Sequence, residues 1–464
     1  MGKPVTMDEL AELRAGVSGV VYARGDAGLA HEARCFNTAI VHDPDVVVGA
    51  RGADDIIAAV AFAARHRLPV FVQATGHGAF APITEGVLIS TRRMGGVSVD
   101  PELRMATIGA GARWGAVVDR ASRYGLTPIT GSSSHVGAVG YTLGGGLGPL
   151  ARTYGFTADW VRGFTVVTAD GRLVRASATE HPDLFWALRG GKGGLGLVVD
   201  MDLELVPLKR VYGGGLFYDS EHIEDALRAW VDWVHSLPDT VTSSVALLRF
   251  PPIDEVPENL RGRFALHLRF AFIGDERDGE RLLAPMRRAA PAFLDLIGDM
   301  STTEIDSIHD DRDQAGPAWD RGMQLTDIDQ AFVTALLSRA GAGSDVPFIA
   351  IEIRHIGAGA TRGASQDTAI GGAGSPFTLV MIGVPVPELF DSVLPQSSDY
   401  IVSGILPWIA DETNINFLGH VASTQQFASA WPADAFSRLI ETRTAWDPEG
   451  LFAYPAGPAG GIDG

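Results

Sequence analysis

An apolar run, Leu68-Pro69-Val70-Phe71-Val72, passes without a spacer into a glycine turn, Gln73-Ala74-Thr75-Gly76-His77-Gly78-Ala79. A short apolar run bounded by turn residues reads as a buried strand. Gly76 and Gly78 let the backbone turn tightly and approach a ligand closely. His77 is then carried at the end of a rigid element, facing whatever the turn encloses. A surface turn is the bland alternative for a histidine between glycines, and the surrounding pattern decides between the two.

That pattern is an alternation of short strands with helices over residues 40–205. Residues 53–67 place Ile56, Ile57, Val60, Ala61 and Ala64 at helical spacing, with Asp54 and Asp55 in the first turn, where the helix dipole favours them. Strands are expected at 86–91 and 105–109, the latter leading into a helix that runs through Tyr124. Residues 164–176 read as a hairpin, because Asp170-Gly171 suits a tight primed turn. Beyond about Pro207 the pattern changes to longer strands, at 241–250, 264–272, 348–355 and 377–384, separated by helical stretches at 220–234 and 276–289. This is the signature of an antiparallel sheet covered by helices. A last segment carries Thr413-Asn414-Ile415-Asn416-Phe417 and a helix at 433–444. Residues 356–376, rich in Gly, Ala and Ser, are expected to form a mobile loop.

A chain of 464 residues is too long for one ordinary core, so at least two domains are expected. With 37 Lys+Arg against 56 Asp+Glu, the net charge of −19 disfavours non-specific binding of nucleic acid or anionic membranes. The lone Cys35 allows no intrachain disulfide and no multi-cysteine metal site, and a buried, inert thiol is its default reading. Residues 1–10 lack the apolar core of a signal peptide, and the longest apolar runs fall short of a membrane span. A cytoplasmic protein is expected.

Two glycine motifs are set aside. Gly109-x-Gly111-x-x-x-Gly115 misses the dinucleotide fingerprint by one residue and has no clear acidic ribose partner. Gly190-Gly191-Lys192-Gly193-Gly194 lacks the hydroxyl that a magnesium-binding phosphate loop needs. A third stretch, Gly131-Ser132-Ser133-Ser134-His135-Val136-Gly137 followed by Gly140-Tyr141-Thr142-Leu143-Gly144-Gly145-Gly146-Leu147-Gly148, is long, small and rich in main-chain donors, and such a run can wrap a diphosphate or a flat ring.

The histidine turn, the Gly-Tyr-Thr-Leu-Gly-Gly-Gly-Leu-Gly stretch, Tyr154-Gly155-Phe156-Thr157-Ala158-Asp159 and Asp183-Leu184-Phe185-Trp186-Ala187-Leu188-Arg189-Gly190-Gly191 occur in that order. Together they resemble the FAD-linked oxidases of the vanillyl-alcohol oxidase superfamily, in its berberine-bridge-enzyme-like branch with the bacterial 6-hydroxynicotine oxidases. The resemblance spans about residues 35–207 and, more loosely, the tail. It implies an α+β protein with a two-part FAD-binding domain (residues 1–207 and a returning segment, 406–464) and an α+β substrate domain (208–405).

The resemblance further implies that His77 bonds covalently to the flavin 8α-methyl carbon and that residues 73–79 cradle the diphosphate. Ser132, Ser133, Val136, Gly137, Gly140, Gly144, Gly145, Gly146 and Tyr154 match the part that embraces the cofactor. Gly194 and Val198 match the strand on the adenine side, and Asn416 matches an asparagine near the ring. A second, cysteinyl link found in many relatives is replaced here by Ser133, which implies a single link through His77. The tail tyrosine that acts as base in alcohol-oxidising members is replaced by Asn414, and a carboxamide cannot remove a proton from an alcohol. The candidate catalytic residues are Glu352, His135, Tyr141 and, in the place of that tyrosine, Asn414. Glu352 and Arg354 share one face of their strand, so Glu352 reads either as a buried base of raised pKa or as half of a structural ion pair. The implied partners are a small organic substrate and dioxygen, the latter reduced to hydrogen peroxide. An oxygenating flavoenzyme for polyketide-like substrates and a redox-inert flavin carrier are the alternatives. A homodimer is common in that group.

Overall fold

The computed structural model describes residues 6–363, 367–419, 421 and 423–453. The first five residues of the segment read for a signal peptide, and residues 364–366 of the expected mobile loop, lie outside that range.

Two sheets build the N-terminal half. Val46–Gly49 is apolar and buried on both faces, pairs parallel with Val87–Ser90, and the latter pairs parallel with Val70–Gln73. The crossover between the first and third of these, which flank Val87–Ser90, is the helix Ala53–His66, and parallel strands of one sheet require such a connection. That helix begins as its sequence predicts. Asp55 in its first turn accepts hydrogen bonds from the backbone of Ser18, Gly19 and Arg51 (2.7–3.1 Å), tying the N-terminal segment to the helix start. Arg67, in the left-handed region at φ 53°, ends it. The second sheet is antiparallel, in the order Val97–Asp100, Met105–Gly109, Leu197–Glu204, Val161–Val167, Leu173–Ser177. Its last two strands are the expected hairpin, with Gly171 at φ 76° in the turn.

The other half is one eight-stranded, wholly antiparallel sheet. Side chains alternate across it as the period of a strand demands. Val245, Leu268, Ile351, Ile353 and Leu379 point one way, into a core closed by the helices Ile223–Val234, Glu276–Ala289, Gln330–Ala340 and Val393–Ile405. Their neighbours His267, Arg269, Glu352, Arg354 and Thr378 point the other way. His267, Arg269, Glu352 and Thr378 on that face are nonetheless buried.

The tail closes the architecture. Phe452 pairs in parallel with Val70, whose N–H donates to Leu451 O at 2.7 Å and whose carbonyl accepts from Ala453 N at 2.9 Å. The expectation of a mobile loop at 356–376 is not met in its described part. Ile356, Ala360, Ala369, Ile370 and Ala373 are buried, four of them in a small apolar cluster with Leu147 and Phe156, because small side chains here allow close packing rather than freedom. Among the described residues no helix is long and apolar enough to cross a membrane.

Candidate active site

The strand Val70–Gln73 delivers the histidine turn to the mouth of a cleft of about 370 Å³, and residues 73–79 all line it. Gly76 sits at φ 74°, and a Cβ there would lie 2.7 Å from Cys35 Cα, so the turn needs glycine for both conformation and space. Gly78 has no such backbone demand. Gln73 braces the turn from behind: its amide donates to the carbonyls of Ala33 and Arg34 (3.1 and 3.2 Å), and its oxygen accepts from Cys35 Sγ at 3.2 Å with His42 Nε2 at 3.0 Å.

His77 is held on three sides. Its ring stacks on Phe36 with centroids 3.8 Å apart and planes 15° from parallel. Its Nδ1 is 2.7 Å from the Thr75 hydroxyl. Its Nε2 is buried with no hydrogen-bond partner. Burial, with smaller contributions from the charge of Arg113 and from His135, lowers its pKa to about 4, so the ring is neutral at pH 7. A neutral imidazole with one nitrogen left unpaired in a cleft is a nucleophile or ligand in waiting, since buried polar atoms are otherwise almost always satisfied. This orphaned nitrogen, in a wall of main chain with little side-chain bulk, fits a flat cofactor tethered at His77.

The loop that follows Gly131 lines the same cleft through Ser132, Val136, Gly137, Gly140 and Tyr141, and Gly194 and Val198 line it as well. Asn416 reaches the same cleft from the tail. It gets there because Gly144 has no side chain: a Cβ at 144 would lie 2.2 Å from Asn416 Oδ1. Gly145 and Gly146 pack behind the cleft against Ile370 and Tyr141. Ser133 does not line it and accepts the His135 N–H at 3.3 Å. Tyr154 stands apart, edge-on to Trp160.

Of the acid–base candidates, Tyr141 lines the cleft, with its ring edge-on to Trp114 and its hydroxyl pushed well above the usual range by burial. His135 and Asn414 do not line it. Asn414 is wholly buried, donating to Gly371 O at 3.1 Å and accepting from Asn416 N at 3.0 Å, so it positions the tail. Glu352 requires a correction. The raised pKa expected of a lone buried carboxylate is not found. Burial pushes it up, but the charges of Arg354 and Arg269 together with the Arg354 hydrogen bond outweigh burial and hold it below the ordinary value. Arg269 bonds one carboxylate oxygen and Arg354 the other, at 2.9 Å for the latter. His267 and His309 beside them are kept neutral, by burial first and by Arg269 next. Glu352 is thus the counter-ion of two arginines.

Four residues of the site escape a reading by motif. Arg269 and His267 interrupt an otherwise apolar strand, Phe264–Phe272, and that interruption was the available signal. Arg354 lines the cleft and lies 5.2 Å from the Phe417 ring centre. Lys192, set aside above for want of a following hydroxyl, points into the cleft. Its Nζ donates to Gly140 O at 2.9 Å and to Asn416 Oδ1 at 2.6 Å.

Residues 44–177 match the family of FAD binding domains. Over 288 residues the chain is 29% identical to the uncharacterized FAD-linked oxidoreductase YgaK of Bacillus subtilis (strain 168), covering 61% of each chain. Over 244 residues it is 29% identical to the (R)-6-hydroxynicotine oxidase of Paenarthrobacter nicotinovorans, covering 52% of each. The matched stretch therefore spans between half and two thirds of these relatives' own length. The fold as a whole superposes on glucooligosaccharide oxidase from Acremonium strictum, a protein with a 6-S-cysteinyl, 8α-N1-histidyl FAD. There the TM-score is 0.81 at 20% identity, covering 97% of this chain and 98% of that one.

Proposed function

Because the chain carries an FAD binding domain on the fold of the berberine-bridge-enzyme-like flavoproteins, we propose that it is an FAD-dependent oxidase acting on a small organic molecule. The observation that carries this reading is the state of His77: neutral, stacked, and with one ring nitrogen buried and unbonded at the mouth of the cleft. FAD, when bound, would accept hydride from the substrate and hand two electrons to dioxygen, giving hydrogen peroxide.

The chain's own residues have distinct parts in this. His77 would carry a single covalent link to the 8α-methyl carbon, since Ser133 offers no thiol for a second. The backbone of residues 73–79 and the loop from Ser132 to Gly140 would hold the cofactor from both sides. Arg354, fixed by Glu352, faces the cleft from the substrate sheet and would orient the substrate's polar end. A carboxylate engaged by two guanidinium groups has no call for a proton, and Asn414 cannot take one. The hydride donor is accordingly a carbon whose neighbouring heteroatom needs no strong base, as in a neutral amine. This agrees with the activity that the name of the P. nicotinovorans relative states. A place in the cytoplasm and in secondary metabolism belongs to the same reading.

The test is intact-protein mass and flavin absorbance after denaturation, for wild type and His77→Ala. Wild type should retain one FAD through denaturation, and the variant should release it. Wild type that gives up its flavin, or never holds any, overturns the covalent assignment.

A further inference from the structure

Lys192 is the one cation of the cleft that the function above leaves without a task. Its backbone lies in the left-handed region at φ 67°, in the middle of Gly190-Gly191-Lys192-Gly193-Gly194. A fifth glycine would adopt that conformation without cost, whereas a side chain there is strained. The amine is nonetheless drawn inward. It lies 3.8 Å from where a Cβ of Gly78 would stand, next to His77. Two of its three N–H donors go to Gly140 O and Asn416 Oδ1. Asn416 is itself oriented by donating its amide to Tyr141 O at 2.8 Å, so its oxygen is fixed toward the amine. Both partners are neutral, and among the described residues no carboxylate pairs with Lys192. Enclosure of this ammonium without a counter-ion agrees with the lowering of its pKa to about 8 by burial.

A strained, half-buried cation without a counter-ion is an unfavourable arrangement for mere packing. The missing negative charge is supplied when the cleft is filled. Resting on the flavin reading above, we propose that Lys192 places positive charge against the reducible ring of the bound flavin, and so favours the reduced, anionic form. Its hydrogen bond to Asn416, the residue that the resemblance sets near the ring, and its nearness to the position next to His77, the point of tethering, favour the ring over the diphosphate in this reading.

The experiment uses the holoenzyme and three variants. Lys192→Met removes the charge at similar bulk, Lys192→Arg keeps it, and Lys192→Gly removes it while relieving the backbone, so that this variant folds at least as well as wild type. Flavin loading is read first, from absorbance after denaturation. The two-electron midpoint potential is then measured against reference dyes, and the affinity for sulfite, which adds to oxidised flavin and leaves it anionic, is measured by bleaching of the flavin band. Lys192→Met and Lys192→Gly should each disfavour reduction by tenfold or more, about 30 mV for a two-electron couple, and should weaken sulfite binding by a similar factor. Lys192→Arg should recover most of both. Potentials and sulfite affinities within threefold of wild type in fully loaded Met and Gly variants overturn the proposal. Reduced loading at unchanged potential also overturns it, assigning the charge to the diphosphate. Wild type without flavin is a separate outcome, which overturns the reading of the site itself.

Discussion

Replacing Glu352 by glutamine separates the two readings of that residue by stability alone. In the folded protein its carboxylate, 6% exposed, answers Arg269 and Arg354, themselves 7% and 13% exposed. The nearby His267 and His309 are held neutral, so the cluster holds two positive charges and one negative. Glutamine keeps one oxygen for one guanidinium and turns an NH2 group, which cannot accept, toward the other. A hydrogen bond to a charged group is worth about 1.5–3 kcal/mol, and breaking a buried pair from one side costs about 3–5 kcal/mol because an uncompensated charge remains. With one arm lost and the carboxylate charge gone, leaving Arg354 only the attraction of Asp311, we expect Glu352→Gln to lose about 3–5 kcal/mol in equilibrium urea unfolding followed by tryptophan fluorescence. Arg269→Met in the same chain should restore part of this, since it removes one of the stranded charges. The pH dependence follows from the sign of the shift. The folded carboxyl lies below its ordinary value of 4.5, so its contribution is complete above that pH and is lost as pH falls through the lower folded value. A Glu352→Gln protein within about 1 kcal/mol of wild type that has nevertheless lost turnover would refute the argument and restore Glu352 as a base.

Three further outcomes are expected. Gly144→Ala drives a methyl to 2.2 Å from Asn416 Oδ1, an atom pinned by Lys192. It should cost about 1–3 kcal/mol and lower flavin occupancy, read by thermal unfolding and absorbance. Covalent attachment of FAD to flavin-free protein should proceed at a constant rate from pH 8 down to about 5 and fall only as His77 protonates near pH 4, as in-gel flavin fluorescence would show. A histidine of ordinary pKa would slow already around 6.5. Burial raises the Cys35 thiol to about 11, so iodoacetamide at pH 8 should leave the native protein unlabelled and add one group after denaturation, by mass spectrometry.

Elements with strong local periodicity were legible from the sequence. Helix Glu276–Ala289 and strands Met105–Gly109, Phe264–Phe272 and Phe348–His355 occur at the bounds their patterns predict. The strand Arg210–Asp219 was not, because Gly213-Gly214-Gly215 has the look of a turn. Its glycines answer a tertiary demand, since a Cβ at 215 would meet His267 Nε2 at 2.1 Å, where that ring lies stacked on Phe217. Helices Gln330–Ala340 and Val393–Ile405 also went unread. In the site, the His77 turn is a local motif and could be seen. Glu352 and Arg354 could be placed on one face by counting, but their charge state depends on Arg269, 83 residues away in the chain, and no local pattern reports it. Lys192 and Asn416 meet across 224 residues. Alone, each is a polar residue in a loop; only the folded tail makes them a pair.

The return of the tail to Val70 also sets an order of events in the cell. A chain emerging from the ribosome exposes the histidine turn early, since the N-terminal part folds first. At that stage the cleft lacks the wall supplied by Asn416 and Phe417, and the edge at Val70 waits for Phe452. The segment through Phe452, made well after the histidine turn, is therefore the latch of the cleft, and on the proposed reading covalent capture of FAD would follow only once synthesis has passed residue 452.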